Sequence, residues 1–126
     1  MISSVFHNRL EKKMRLQSDP TIIYGMWVQT KKEVFNITRK DILAPTPYNT
    51  YTVPALPYGP IANPGYEALA AAVRPVESNN LYFVSRNDGT HIFSPTYELH
   101  NKAVIEFQKN PKARQGKSWR DLNKKK

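Results

Sequence analysis

The 126-residue chain predicts a small single α+β domain with three helices, one β-hairpin and a long proline- and tyrosine-rich loop. Three observations carry this reading. Apolar residues recur at helical spacing in separate places, and two β-prone runs flank Asn87-Asp88-Gly89. Residues 46–65 hold five prolines and three tyrosines without a single charge. Proline fixes φ and removes a backbone donor, so that stretch is neither a long helix nor a central strand. A flexible linker would be rich in glycine, serine or charge, whereas this one is stiff and aromatic.

The elements follow in order. Ile2, Val5, Phe6 and Leu10 share one helical face, so residues 3–13 read as an amphipathic helix with His7, Asn8, Glu11 and Lys12 on its polar side. Asp19-Pro20 turns the chain, and residues 21–28 form a β-prone run compatible with strand or helix. Asp41-Ile42-Leu43 is a brief element before the loop. Asn63 suits an N-cap with Pro64 at the first helical position, and Tyr66, Leu69, Ala70 and Val73 then share a face up to Pro75. Tyr24 and Tyr66 are expected in the core. Residues 81–86 and 90–93 read as a hairpin. Ser94 with Pro95 repeats the cap logic, and Leu99, Ala103, Val104 and Phe107 supply the buried stripe of the last helix. There is no internal repeat.

Composition excludes several functions. The absence of cysteine rules out a disulfide scaffold, a thiol nucleophile and thiolate-bound metal. His91 and His100 are nine residues apart and His7 is remote, without helical zinc spacing, so no metal site is expected. No phosphate loop or dinucleotide fingerprint is marked, and no cofactor is expected. No run approaches a membrane span or a signal peptide. The net charge of +9 is uneven: Lys112, Arg114, Lys117, Arg120, Lys124, Lys125 and Lys126 face Asp121 alone. Residues 110–126 therefore read as a flexible basic tail, solvated or in contact with nucleic acid, anionic lipid or an acidic polymer. A small basic nucleic-acid-binding protein is a distant alternative, because the cations are not interleaved with the tyrosines; no nucleic acid is expected.

Several blocks stand in a fixed order: Asn8-Arg9-Leu10, then Met14-Arg15-Leu16-Gln17-Ser18-Asp19-Pro20-Thr21-Ile22-Ile23-Tyr24-Gly25, then Pro47-Tyr48-Asn49-Thr50-Tyr51. Leu56-Pro57-Tyr58-Gly59-Pro60-Ile61, Asn63-Pro64-Gly65, Leu81-Tyr82-Phe83-Val84 and His91-Ile92-Phe93-Ser94 follow, with Thr96, Glu98 and His100-Asn101 after them. In these blocks the chain resembles the YceG-like family of endolytic murein transglycosylases (the MltG group), over roughly residues 2–107. The resemblance implies that residues 1–109 are the C-terminal portion of a transglycosylase catalytic domain, acting on peptidoglycan glycan strands. Enzymes of this kind cleave between N-acetylmuramic acid and N-acetylglucosamine with one glutamic acid, which protonates the leaving oxygen and then helps the C6 hydroxyl close a 1,6-anhydro ring. That differs from the two-carboxylate glycosidases. The family's glutamate precedes the segment matching Ser4-Val5-Phe6-His7-Asn8-Arg9-Leu10, so the helix bearing it is expected upstream of Met1. Family members are anchored in the cytoplasmic membrane and face the wall, an anchor this chain is expected to lack.

None of the ten carboxylates offers itself as a replacement acid. Glu11 sits among cations, Asp88 in a hairpin turn, and Glu67 and Glu98 in first helical turns. Asp19 is the best placed for a polar site, although Asp before Pro commonly forms turns. No catalytic residue is therefore expected in the chain. The resemblance places substrate contacts at Gln17, Ser18, Asp19, Tyr48, Asn49, Thr50, Tyr51 and Asn63. Tyr48 or Tyr51 would stack on a sugar, and Asn49 and Gln17 would bond N-acetyl or hydroxyl groups, while Asn63 competes with its capping role. The chain departs from the family pattern at Ala55, where glycine is common, and at Tyr58, where a second proline is common. Ile2, Val5 and Phe6 are expected to lie partly exposed and to recruit a separately encoded upstream half or a second copy. The alternative function is a non-catalytic peptidoglycan-binding or scaffold remnant.

Overall fold

A computed structural model describes residues 1–34 and 36–114. It has the expected mixed class: helices α1 (Ile2–Glu11), α2 (Asp19–Thr30), α3 (Arg39–Ile42) and α4 (Tyr66–Val73), strands β1 (Tyr82–Ser85) and β2 (His91–Ser94), then α5 (Tyr97–Val104), one π-helical turn (Ile105–Lys109) and α6 (Pro111–Arg114). The expected three helices thus become six helical segments among the described residues. Three of these are short or were ambiguous in sequence. Residues 21–28 belong to α2, because Pro20 at its start is preorganised for helix and the run that follows is apolar on every side. The basic tail expected over residues 110–126 lies, from residue 115 onward, outside the described residues.

The chain divides into two compact units, one of residues 1–8 and 77 onward, the other of residues 9–76. In the first, β1 and β2 pair antiparallel with Phe83 opposite Phe93 and Val84 opposite Ile92. Asn87 and Gly89 adopt positive φ, the turn requirement that Asn and Gly meet with least strain. Helix α5 packs on both strands, burying Ala103 while Leu99 stays 49% exposed. Its cap is Thr96, whose hydroxyl accepts from Leu99 N, and not Ser94. Phe6 meets Phe83 edge-on at 5.8 Å, and Val5 and Val84 are buried. Val5 therefore does not contribute to an open apolar face on α1, contrary to expectation. The polar side of α1 is used as well: Asn8 Nδ2 donates to the carbonyls of Ser78 and Asn80, and Ser4 Oγ bonds Ser78 Oγ.

The second unit has an unusual interior. Among its described residues only Leu16 and Ile22 are buried hydrophobics, beside buried Arg9, Thr21, Thr46, Asn49 and Thr50. Burying such groups is unfavourable unless they are hydrogen-bonded, and the local bonds supply that compensation. Thr38 and Asp41 form a reciprocal capping box at α3. Helix α4 departs from the sequence reading twice. Its N-cap is Gly65, two residues beyond Asn63, and no residue of it is buried. Tyr66, expected in the core, is 85% exposed.

Candidate functional site

The site grows out of the start of α2 and the turn at residues 46–53. Thr50 is fully buried between them. Its Oγ1 accepts from Ser18 N at 2.8 Å and lies 2.8 Å from Thr21 Oγ1, while Thr50 N donates to Thr21 Oγ1 at 3.1 Å. Thr21 Oγ1 itself donates to Ser18 O at 2.6 Å. One proton arrangement satisfies all of these bonds: Thr21 gives its hydrogen to Ser18 and Thr50 gives its own to Thr21. Gln17 N donates to Thr50 O at 3.3 Å, with Gln17 at φ 50°. A non-glycine residue in that left-handed region stores strain that the surrounding bonds hold in place.

The clamp brings an exposed carboxylate against a phenol. Tyr51 Oη donates to Asp19 Oδ1 at 2.6 Å. Burial raises the Tyr51 ionisation above its usual value, and Asp19 adds to the rise through its hydrogen bond and charge; the Arg9 guanidinium opposes it. Tyr51 is therefore held as a neutral donor. Arg9, buried beneath, donates from one guanidinium nitrogen to the carbonyls of Arg15 and Leu16, and Arg15 donates to Tyr51 O. Asp19 also stands in the first turn of α2, where the helix dipole favours a negative charge.

Asn49 points inward. It is fully buried, and its amide donates to Ile42 O at 3.0 Å and Ala44 O at 2.7 Å while its Oδ1 accepts from Tyr51 N at 2.9 Å. Each of these bonds joins the loop to itself or to α3, so the side chain sets the shape of the turn. Tyr48 is half-buried, its ring 4.8 Å from Tyr24 and 6.0 Å from Tyr58. Among the expected positions, then, Gln17, Ser18, Asp19, Thr50 and Tyr51 are brought together. Asn49 lies beneath them, Tyr48 belongs to a row of aromatic rings, and no hydrogen bond among the described residues joins exposed Asn63 to the cluster.

Two residues of the site escaped the sequence reading as functional candidates. Arg9 carried no signal beyond its place in Asn8-Arg9-Leu10. Thr21 was legible only as the residue after Asp-Pro, with nothing to show that a threonine 29 positions later would bond to it. Among the described residues, no group of three or more His, Asp or Glu side chains is placed to hold a metal ion, and no helix is long and apolar enough to cross a membrane.

Comparison with known proteins follows the same residues. The model of the YceG-like family matches residues 1–106. The chain is 42% identical over 106 residues to the endolytic murein transglycosylase of Bacillus subtilis, covering 84% of this chain and 28% of that protein. It is 32% identical over 112 residues to the endolytic murein transglycosylase of Streptococcus pneumoniae, covering 84% of this chain and 20% of that one. The crystal structure of a putative YceG-like protein from Listeria monocytogenes superposes with a TM-score of 0.74 at 45% identity, covering 82% of this chain and 33% of the other. The chain thus spans less than a third of the length of the curated relatives it matches. The ordered motifs, the fold they form and a family match across residues 1–106 agree, and the chain belongs to the YceG-like family.

Proposed function

We propose that this chain forms part of a peptidoglycan-processing unit, supplying the substrate-binding portion of an endolytic lytic transglycosylase domain that cleaves glycan strands to 1,6-anhydro products. The observation that carries this reading is the clamp through Thr50, which ties exposed Gln17 and Asp19 to Tyr51 by hydrogen bonds, in a chain whose relatives bear the name endolytic murein transglycosylase. In this reading Gln17 and Ser18 bond sugar hydroxyl or N-acetyl groups. Tyr51, kept neutral and oriented by Asp19, donates to a sugar oxygen or packs on a ring face. Asp19 accepts from a hydroxyl while holding Tyr51 in place. The proton donor to the glycosidic oxygen is a carboxylate outside residues 1–126, and residues 1–109 act as the C-terminal portion of the catalytic domain.

The test uses a chimera in which residues 1–106 replace the matching segment of the Bacillus subtilis relative. Incubated with purified peptidoglycan, it should release anhydro-muropeptides detectable by mass spectrometry, and Asp19→Ala in the chimera should lower the yield at least tenfold. The 126-residue chain alone should sediment with sacculi and release no such product. A folded chimera without product, or a chain that stays in the supernatant, would overturn the reading.

A further inference from the structure

Helix α4 (Tyr66–Val73) reads Tyr-Glu-Ala-Leu-Ala-Ala-Ala-Val, and none of these residues is buried. Tyr66, Leu69 and Val73 share one face with Ala70 and are 85%, 53% and 79% exposed. Only Ala71, turned away from that face, is even half-buried. A helix this short does not hold itself in water, since helices below about 12–15 residues are marginal and rely on packing an apolar face. Its N-cap, Gly65, offers no side chain to the first turn either. Among the described residues, α4 therefore keeps its largest apolar side chains in solvent without the packing that normally stabilises such a helix.

The charges beside the stripe indicate what fits it. Glu67 and Arg74 are both exposed. They stand at opposite ends of α4 and on the same flank of the apolar face, because seven residues make nearly two whole turns. Among the described residues no ion pair engages either of them. A flank that starts acidic and ends basic is complementary to itself when run antiparallel, the arrangement in which like flanks of two helices meet. One register then satisfies every position. Tyr66 of one copy opposes Val73 of the other, Leu69 opposes Ala70, and Glu67 comes beside Arg74. A parallel pair would bring opposite flanks together and leave both charges unmatched. The small side chain of Ala70 at the centre lets the two backbones approach to about 8 Å.

We propose that α4 is a self-association surface, through which two copies of this chain pair antiparallel about a two-fold axis near Ala70. Each copy contributes the same patch, as an isologous contact requires, and every pairing occurs twice. The pairing needs no glycan and stands apart from the function proposed above. A contact eight residues long spans about 12 Å and is too small to reach the about 800 Å² per partner of a stable interface. The dimer is therefore weak, with a dissociation constant of about 100 μM.

Sedimentation equilibrium of the 126-residue chain between about 10 μM and 1 mM should show a monomer–dimer transition, and far-UV circular dichroism should gain helix over the same range as α4 is covered. Leu69→Lys should abolish the transition. Glu67→Arg and Arg74→Glu should each weaken it about tenfold, because two attractions per dimer become two repulsions. Mixed in equal amounts, these two variants should recover association at the parent's strength, since each presents to the other the charge it lacks. Added salt should weaken the parent pair and strengthen each charge variant. The chain has no cysteine, so Ala70→Cys, beside the axis, should form a disulfide-linked dimer on mild oxidation, whereas Ala68→Cys, on the far side of the helix, should not. These positions are all exposed, and an unchanged thermal melt of dilute monomer confirms that each variant folds. A parent chain that stays monomeric throughout, association indifferent to Leu69→Lys, charge variants that fail to complement each other, or equal crosslinking at positions 68 and 70 would overturn the pairing.

Discussion

Gly25→Ala asks whether α2 and the loop at residue 46 approach as closely as the structure indicates. Gly25 lies inside α2 and is buried. A Cβ placed there would run into Thr46 Oγ1 and come within 3.0 Å of Thr46 Cβ. Helix propensity by itself favours alanine over glycine by about 1 kcal/mol. Overpacking a closed contact costs about 1–3 kcal/mol. Moving the Thr46 hydroxyl also removes a bond it accepts from Asn49 N at 3.1 Å, a loss of about 1 kcal/mol. The net expectation is destabilisation by about 1–3 kcal/mol. At about 4 °C per kcal/mol for a chain of this size, the melting temperature should fall by about 4–12 °C. Far-UV circular dichroism during thermal and urea unfolding reads both quantities. Repeating the substitution in a Thr46→Ala background removes the hydroxyl that collides, and a coupling of about 1–2 kcal/mol should appear between the two positions. An alanine variant as stable as the parent, or more stable, would refute the close approach, since that outcome is what propensity alone dictates.

Three further expectations follow from the same region and its neighbours. Asn49→Asp, nearly the same shape, loses both donors to Ile42 O and Ala44 O and sets a carboxylate against two carbonyls; urea unfolding should show a loss of about 3 kcal/mol or more, and a neutral result would show that the amide is not buried as described. Tyr51 ionises above its usual value because the neutral phenol is favoured in the folded chain. Its contribution to stability is therefore complete below the unfolded value of about 10 and fades as pH rises through the higher folded value. Tyr51→Phe should abolish the 295 nm absorbance that develops well above pH 10, and an unchanged titration would sink the assignment. Asp41 is pulled below 3.8 by its bonds to Thr38 N and Oγ1. The α3 cap should consequently be complete above pH 3.8 and be lost as pH falls through the lowered value, which an NMR titration of the Asp41 carboxyl follows; a midpoint at or above 3.8 would count against the capping box.

Local chemistry explains how much was readable in advance. The hairpin was legible because alternation and Asn-Asp-Gly specify register and turn within a few residues, and the pairing of Phe83 with Phe93 follows. Helix α1 was legible from its apolar spacing. The N-terminus of α4 was misplaced by two residues because Asn63-Pro64 and Gly65 all satisfy the local rules for starting a helix. Ser94 with Pro95 satisfies the same local rules as Thr96, the residue that caps α5. The exposure of Tyr66 was not readable at all, since a helix's apolar face says what could be buried and not whether a neighbour arrives to bury it.

The sequence by itself determined the family, the α+β class and the stiffness of the loop, because motif order and backbone restriction are properties of the linear chain. It also marked Gln17, Ser18, Asp19, Tyr48, Asn49, Thr50, Tyr51 and Asn63 as a candidate set through the resemblance. Only the tertiary structure decided how their side chains divide. Asn49 turned inward because three backbone groups of the loop and the end of α3 needed an amide, and Tyr51 turned toward Asp19 because Thr50 and Thr21 lock their two segments together. The aromatic row from Trp27 to Tyr58 likewise depends on rings up to 24 positions apart, Tyr24 and Tyr48, meeting in space. Hydrogen bonds and ring contacts between distant residues leave no periodic trace in sequence, since each partner satisfies only local rules until the fold brings the other to it.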